Sequence, residues 1–204
     1  MKITATVGAL ALLAALAVPV LADDNMTVAK GSVTPGDGHS VTLKGNALPL
    51  AGSAVKVGVP LPAATLINGS MQPINIAEAK GKVRIINVVP SLDTPVCDAQ
   101  THELVEKDPA LAEAIELVTV SMDLPFAQQR WARAAKVKGV TFLSDHRSGD
   151  FGMNSGLLIQ PLRLLARAVI VTDKDGVVRY LQVVPEVTEL PDMDAAMSAA
   201  KGLM

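Results

Sequence analysis

A single cysteine, Cys97, stands among 204 residues. An intrachain disulfide is thereby excluded in any compartment. Aromatic residues make up only 2% of the chain, too few to supply the stacking platforms that hold single-stranded nucleic acid. An excess of one charge is missing as well: 18 Lys and Arg against 20 Asp and Glu leave a formal charge of -2. No basic stripe points to nucleic acid or to an anionic membrane surface. His39, His102 and His146 are scattered, without the close pairing of metal ligands. Neither a metal nor another cofactor is expected, and the partner should be a small molecule or a protein.

What is present is an apolar half, enough for one domain of ordinary size with a substantial core. The N-terminus places Lys2 ahead of an apolar run from Val7 to Val18, followed by Pro19 and the small-residue pattern Val20-Leu21-Ala22. This predicts a secretory signal peptide over residues 1–22, cleaved after Ala22, and a periplasmic or secreted protein. The run is shorter than the roughly 20 residues that span a bilayer, so no membrane attachment is expected after cleavage. An uncleaved membrane anchor and translation from Met26 without export are the alternatives. Residues 23–38 are polar, rich in Gly, Pro, Ser and Thr and without hydrophobic period, which predicts a flexible leader. The domain should then occupy residues 39–204.

Within it, Val41-Thr42-Leu43 and Ala47 to Leu50 flank Lys44-Gly45-Asn46 as a short hairpin, and Val55-Lys56-Val57 reads as further extended chain. Val83 to Val89 is β-branched and almost continuously apolar, as a central strand buried on both faces should be. A helix from Val96 to Lys107 and a strand from Glu116 to Ser121 follow it. Strand, helix, strand implies a parallel crossover. A helix from Pro125 to Val137, a short strand at Thr141 to Leu143, a hairpin pairing Ala168–Thr172 with Val177–Val184, and a closing helix from about Asp192 to Lys201 complete an α/β domain with no internal repeat.

An exported protein ordinarily pairs its cysteines. A lone one is a buried small hydrophobe, an intermolecular partner, or a reactive thiol. The surroundings of Cys97 bear on the choice. The segment Pro90 to Asp98 lies between the central strand and the next helix, at the carboxyl end of a strand, where open α/β sheets build their sites. Thr94 suits an N-cap and Pro95 a first helical position, which puts Cys97 in the first turn. There the sulfur meets unpaired N–H groups and the positive end of the helix dipole, which favour thiolate. A helix terminus supplies about 0.3–1 kcal/mol, less than the roughly 2.7 kcal/mol that makes a thiolate the majority form at neutral pH. A nearby Arg or further hydrogen bonds must make up the difference. His102, five residues beyond Cys97, turns away from it on a helix.

Pro90, Thr94 and Cys97 stand at P-x-x-x-T-x-x-C spacing, within NVVPSLDTPVCDAQT from Asn87, followed by SMDLPFAQQRW from Ser121, LSDHR from Leu143, RLLARAVIVTD from Arg163 and VPEVTELPDMDAA from Val184. In these blocks, spanning His39 to Lys201, the chain resembles the bacterial thiol peroxidase branch of the peroxiredoxin superfamily. The resemblance implies a thioredoxin-like fold, a central mixed sheet flanked by helices with an N-terminal β-hairpin extension, and a homodimer. It implies that Cys97 attacks the peroxide, that Thr94 hydrogen-bonds peroxide and sulfur, that Pro90 shields the pocket, and that Arg167 stabilises the thiolate and polarises the peroxide oxygens.

One departure changes the expected cycle. That branch commonly carries a second, resolving cysteine just after the aromatic that follows FAQxR, and here Trp131 is followed by Ala132. Cys97 sulfenic acid must then be resolved by an external thiol or a thioredoxin-like reductant, with overoxidation as the competing loss. The expected activity is reduction of hydrogen peroxide or small organic hydroperoxides. Loss of the resolving cysteine also leaves a second reading, a redox-sensing module that signals through a mixed disulfide at Cys97 without turnover.

Overall fold

Fully buried strands must satisfy their backbone on both sides and offer apolar groups to both faces, and the Val83–Val89 run does so at the centre of the molecule. The computed structural model describes residues 26–78 and 81–204. The predicted signal peptide lies outside the described residues. In chain order the elements are β1 (Ser40–Leu43), β2 (Asn46–Ala51), β3 (Thr65–Asn68), β4 (Pro73–Asn75), β5 (Arg84–Val88), α1 (Pro95–Glu106), α2 (Pro109–Ala114), β6 (Glu116–Ser121), α3 (Pro125–Ala134), β7 (Val140–Ser144), α4 (Asp150–Ser155), β8 (Leu158–Ile159), β9 (Leu164–Leu165), β10 (Ala168–Thr172), β11 (Val178–Val183) and α5 (Met193–Lys201).

A seven-stranded sheet runs β11-β10-β5-β6-β7-β3-β4. β5, β6 and β7 are parallel, and β10 and β3 join them antiparallel on either side. Alternation along the strands divides the core. Ile85, Leu117, Val169 and Val171 pack against Leu104 of α1, Leu111 of α2 and Met193 and Ala196 of α5. Ile86, Val88, Val118, Val120 and Ile170 face the other way, onto Phe151 of α4 and the hairpin side of the molecule. The expected hairpin forms from β1 and β2 and is extended by β8 and β9 into a separate four-stranded antiparallel sheet.

Several elements escape the sequence pattern. The β3–β4 hairpin, α2, α4 and the β8–β9 pair are short, below the length at which periodicity separates helix from strand. Residues 55–57 form no strand; Val55 is buried and the chain rejoins regular pairing only at β3.

The expected flexible leader is corrected for its described part. Ala29 N–H donates to Leu190 O at 2.8 Å, Val33 N–H to Val183 O at 3.0 Å and Gly36 N–H to Gly156 O at 2.9 Å. A Cβ on Gly156, whose φ is +72°, would lie 2.5 Å from the nitrogen of Gly36, so the backbones meet where no side chain fits. Polar composition misled here because backbone pairing with a sheet edge needs no hydrophobic signature.

Candidate active site

The loop between β5 and α1 is held from outside itself. The Asp123 carboxylate accepts from Ser91 Oγ at 2.7 Å, Leu92 N–H at 2.8 Å and Ser121 Oγ at 2.8 Å, joining the end of β6 to the approach of α1. Thr94 is extended, with φ −125° and ψ 145°, and Pro95 opens the helix, where its missing N–H costs nothing. Cys97 therefore sits in the first turn. The expected side-chain cap is corrected: Thr94 Oγ1 donates to Ser91 O at 3.1 Å and makes no capping hydrogen bond to α1. The hydroxyl proton is drawn into the preceding turn, and the first N–H groups of α1 receive no acceptor from Thr94.

Cys97 has no exposed surface and packs with Val89 and Leu92 beneath Trp131 and Phe142. Trp131 Nε1 donates to Asp98 Oδ1 at 3.1 Å, linking α3 to the first turn of α1. The sulfur meets Arg167, which lies between β9 and β10 and is only 2% exposed. Its Nη2 donates to Cys97 Sγ at 3.3 Å, its Nη1 to Gln100 Oε1 at 2.5 Å and its Nε to Val187 O at 2.9 Å. Among the described residues no carboxylate pairs with Arg167. Its two oxygen acceptors are neutral, so a thiolate at Cys97 is the charge that would complete this buried cation.

Pro90, Thr94, Val96, Leu164, Arg167 and Val187 line a cavity of about 450 Å³ with mostly apolar walls. The structure thus brings Cys97 and Arg167 into contact and sets Pro90 and Thr94 on the same cavity. It does not join the Thr94 hydroxyl to the sulfur in this state. His102 pairs with Glu106 at 3.1 Å and meets the edge of Trp131. Ala132 lies on another side of α3, beside Lys136 and Val137.

Sequence reading missed Gln100, Asn87 and Asp123. Gln100 lies three residues after Cys97, hence on the same helix face, and Asn87 is, with Arg84, a polar exception in the β5 run. Gln100 Nε2 donates to Asn87 Oδ1 at 2.5 Å, and Asn87 Nδ2 to Thr101 Oγ1 at 3.3 Å and Thr119 Oγ1 at 3.2 Å.

Glu186 fixes the cavity's outer wall. Partial burial pushes its carboxyl up, but the N–H groups of Gly45 and Lys44 and the hydroxyls of Thr42 and Thr188 outweigh that and hold it at about 2. The clamp binds the β1–β2 turn to the segment that carries Val187 and Thr188.

Comparison with known proteins bears on the chain as a whole. The redoxin family model matches residues 56–197. The thiol peroxidase of Halalkalibacterium halodurans is 46% identical over 165 residues, covering 81% of this chain and 99% of that protein. The thiol peroxidase of Bacillus subtilis is 44% identical over 164 residues, 80% of this chain and 98% of that protein. Among solved structures, a peroxiredoxin-like protein from Aquifex aeolicus superposes with a TM-score of 0.76 at 40% identity, over 83% of this chain and 99% of its own.

Proposed function

This chain belongs to the redoxin family and is a thiol-dependent peroxidase of the peroxiredoxin type, and from that premise we propose that it runs a one-cysteine cycle on Cys97. The observation that carries the reading is the Arg167 guanidinium, unpaired with any carboxylate among the described residues, donating to Cys97 Sγ beside the apolar cavity. In the first step the thiolate attacks one peroxide oxygen, the O–O bond breaks, and the other oxygen leaves as alkoxide or hydroxide and takes a proton. Cys97 becomes sulfenic acid. Arg167 stabilises the thiolate beforehand and the charge shifting onto the leaving oxygen during the step. The Thr94 hydroxyl, on the cavity wall, turns from Ser91 O to the peroxide, and Pro90 keeps water off the sulfur.

With a single cysteine in the chain, an external thiol displaces water from the sulfenic acid, giving a mixed disulfide, and a second thiol returns Cys97 to the thiol form. The substrates are hydrogen peroxide and small organic hydroperoxides. Peroxide consumption measured with dithiothreitol, glutathione and thioredoxin as reductants tests this. Sustained turnover with at least one supports it; stoichiometric sulfenate without turnover favours the sensing module.

Export belongs to the same proposal, supported by the Lys2, Val7–Val18 and Ala22 pattern. N-terminal sequencing from exported protein should read Asp23 first. The homodimer rests on family likeness, and sedimentation of the mature chain decides it.

A further inference from the structure

A strand buried along its whole length has no use for an amide unless the amide is answered. Asn87, within β5, is 0% exposed, and the partners of its side chain lie on α1 and β6. Their directions follow from one constraint. A guanidinium only donates, so the Gln100 atom facing Arg167 Nη1 is Oε1. Gln100 Nε2 is therefore turned toward Asn87 and, at 3.5 Å, the Ala168 carbonyl. The Asn87 atom facing that donor must be Oδ1, which leaves Nδ2 for the hydroxyls of Thr101 and Thr119. Thr101 accepts there and sends its own proton to the Cys97 carbonyl at 2.8 Å.

The bonds close a ring. It runs from Cys97 Sγ through Arg167, Gln100, Asn87 and Thr101 to the carbonyl of Cys97 itself. Asn87 is the one member anchored in the central strand. It touches neither the sulfur nor the cavity, so its effect passes through Gln100 on one side and Thr101 on the other.

We propose that Asn87 is a positioning residue for the peroxidase reaction, locking the Gln100 amide with its oxygen toward Arg167 and holding the first turn of α1 in register with the guanidinium. This rests on the reading of Cys97 and Arg167 as the reacting pair. Without Asn87 the Gln100 amide keeps only the long contact to Ala168 O and can turn its NH₂ toward the guanidinium, two donors facing each other. An aspartate at position 87 would keep the shape but add a negative charge on the far side of Gln100, competing with the thiolate for Arg167.

The test uses the full mature chain with Asn87→Asp, Asn87→Leu and Arg167→Met. The readouts are the second-order rate with hydrogen peroxide, the pH profile of Cys97 alkylation by iodoacetamide, and the thermal midpoint. Both Asn87 variants should react with peroxide about 10- to 100-fold more slowly at pH 7, the range of a lost charge-assisted hydrogen bond. Their alkylation profiles should move to higher pH, and raising the pH should restore part of the rate in Asn87→Asp. A residue needed only for folding would lower the thermal midpoint and leave the pH profile in place. Wild-type profiles and rates within about twofold in the folded variants, or failure of both variants to fold, overturn the proposal. If Arg167→Met is also unchanged, the Cys97–Arg167 reading itself falls; if it is slowed and the Asn87 variants are not, only the role of Asn87 does.

Discussion

Arg167 reaches Cys97 across 70 positions of sequence, donating Nη2 to the sulfur at 3.3 Å while its Nε is tied to the carbonyl of Val187. The cation is therefore aimed by backbone on one side and offered to a nucleophile on the other. Replacing it with Met removes the charge and keeps much of the volume. Arg167→Met should slow the reaction with peroxide by about 100- to 1,000-fold, the usual cost of losing a donor aimed at developing charge. Stopped-flow kinetics under single-turnover conditions gives the number, and an unchanged rate would remove Arg167 from the mechanism.

Thr94 poses a sharper question, because its hydroxyl is occupied by Ser91 O in the resting structure. If it turns to the peroxide, Thr94→Ser should stay within a fewfold of wild type while Thr94→Val should lose about tenfold or more. Equal rates in the two variants would leave Thr94 a turn residue.

Cys97 has no second cysteine to meet. One equivalent of peroxide should give a sulfenic acid trapped by dimedone, and excess peroxide without a reductant should give sulfinic and sulfonic acids, all resolved by intact mass. Ala132→Cys puts a thiol on α3 next to Trp131 but on the side facing Lys136 and Val137. An internal disulfide in that variant requires the helix to unwind locally, and protection from overoxidation should appear only as that bond forms. Rapid, quantitative dimers through Cys97 in the wild type would instead argue for the sensing module.

Glu186 makes a prediction in pH. Its folded value of about 2 lies below the ordinary 4.5, so it contributes stability that is present above pH 4.5 and is lost as pH falls through about 2. Glu186→Gln should cost about 1–2 kcal/mol at pH 7, discounted for partial exposure. Urea denaturation at pH 7, 4.5 and 3 should show the gap between variant and wild type narrowing at the lowest pH. A gap constant with pH would mean the carboxylate's charge is not what holds the hairpin turn to the cavity wall.

What could be read from the sequence follows from where each signal is stored. β5 is visible because its apolar, β-branched residues are contiguous, and Cys97 is placed in the first turn by Thr94 and Pro95, which are local. The role of Arg167 came through resemblance, since nothing near Ala166 or Ala168 says that the side chain meets a sulfur 70 residues earlier. Asn87 and Gln100 were passed over because a buried amide and an exposed one are the same letter until its partners are known. The described part of the 23–38 leader was misread because its hold on Leu190, Val183 and Gly156 is made mostly by backbone, with Ser32 Oγ and the Gln182 amide adding to it.

The bond from Trp131 to Asp98 has an optical consequence. The chain has one tryptophan, and it lies over the Cys97 cluster, edge-on to Phe142 at 5.9 Å and to His102 at 6.1 Å. All indole emission from this protein therefore originates within the shell around the sulfur. Any redox step that unwinds the first turn of α1 breaks the indole's hydrogen bond and wets its ring, so the fluorescence of the untouched protein is a built-in, label-free gauge of the state of its only thiol.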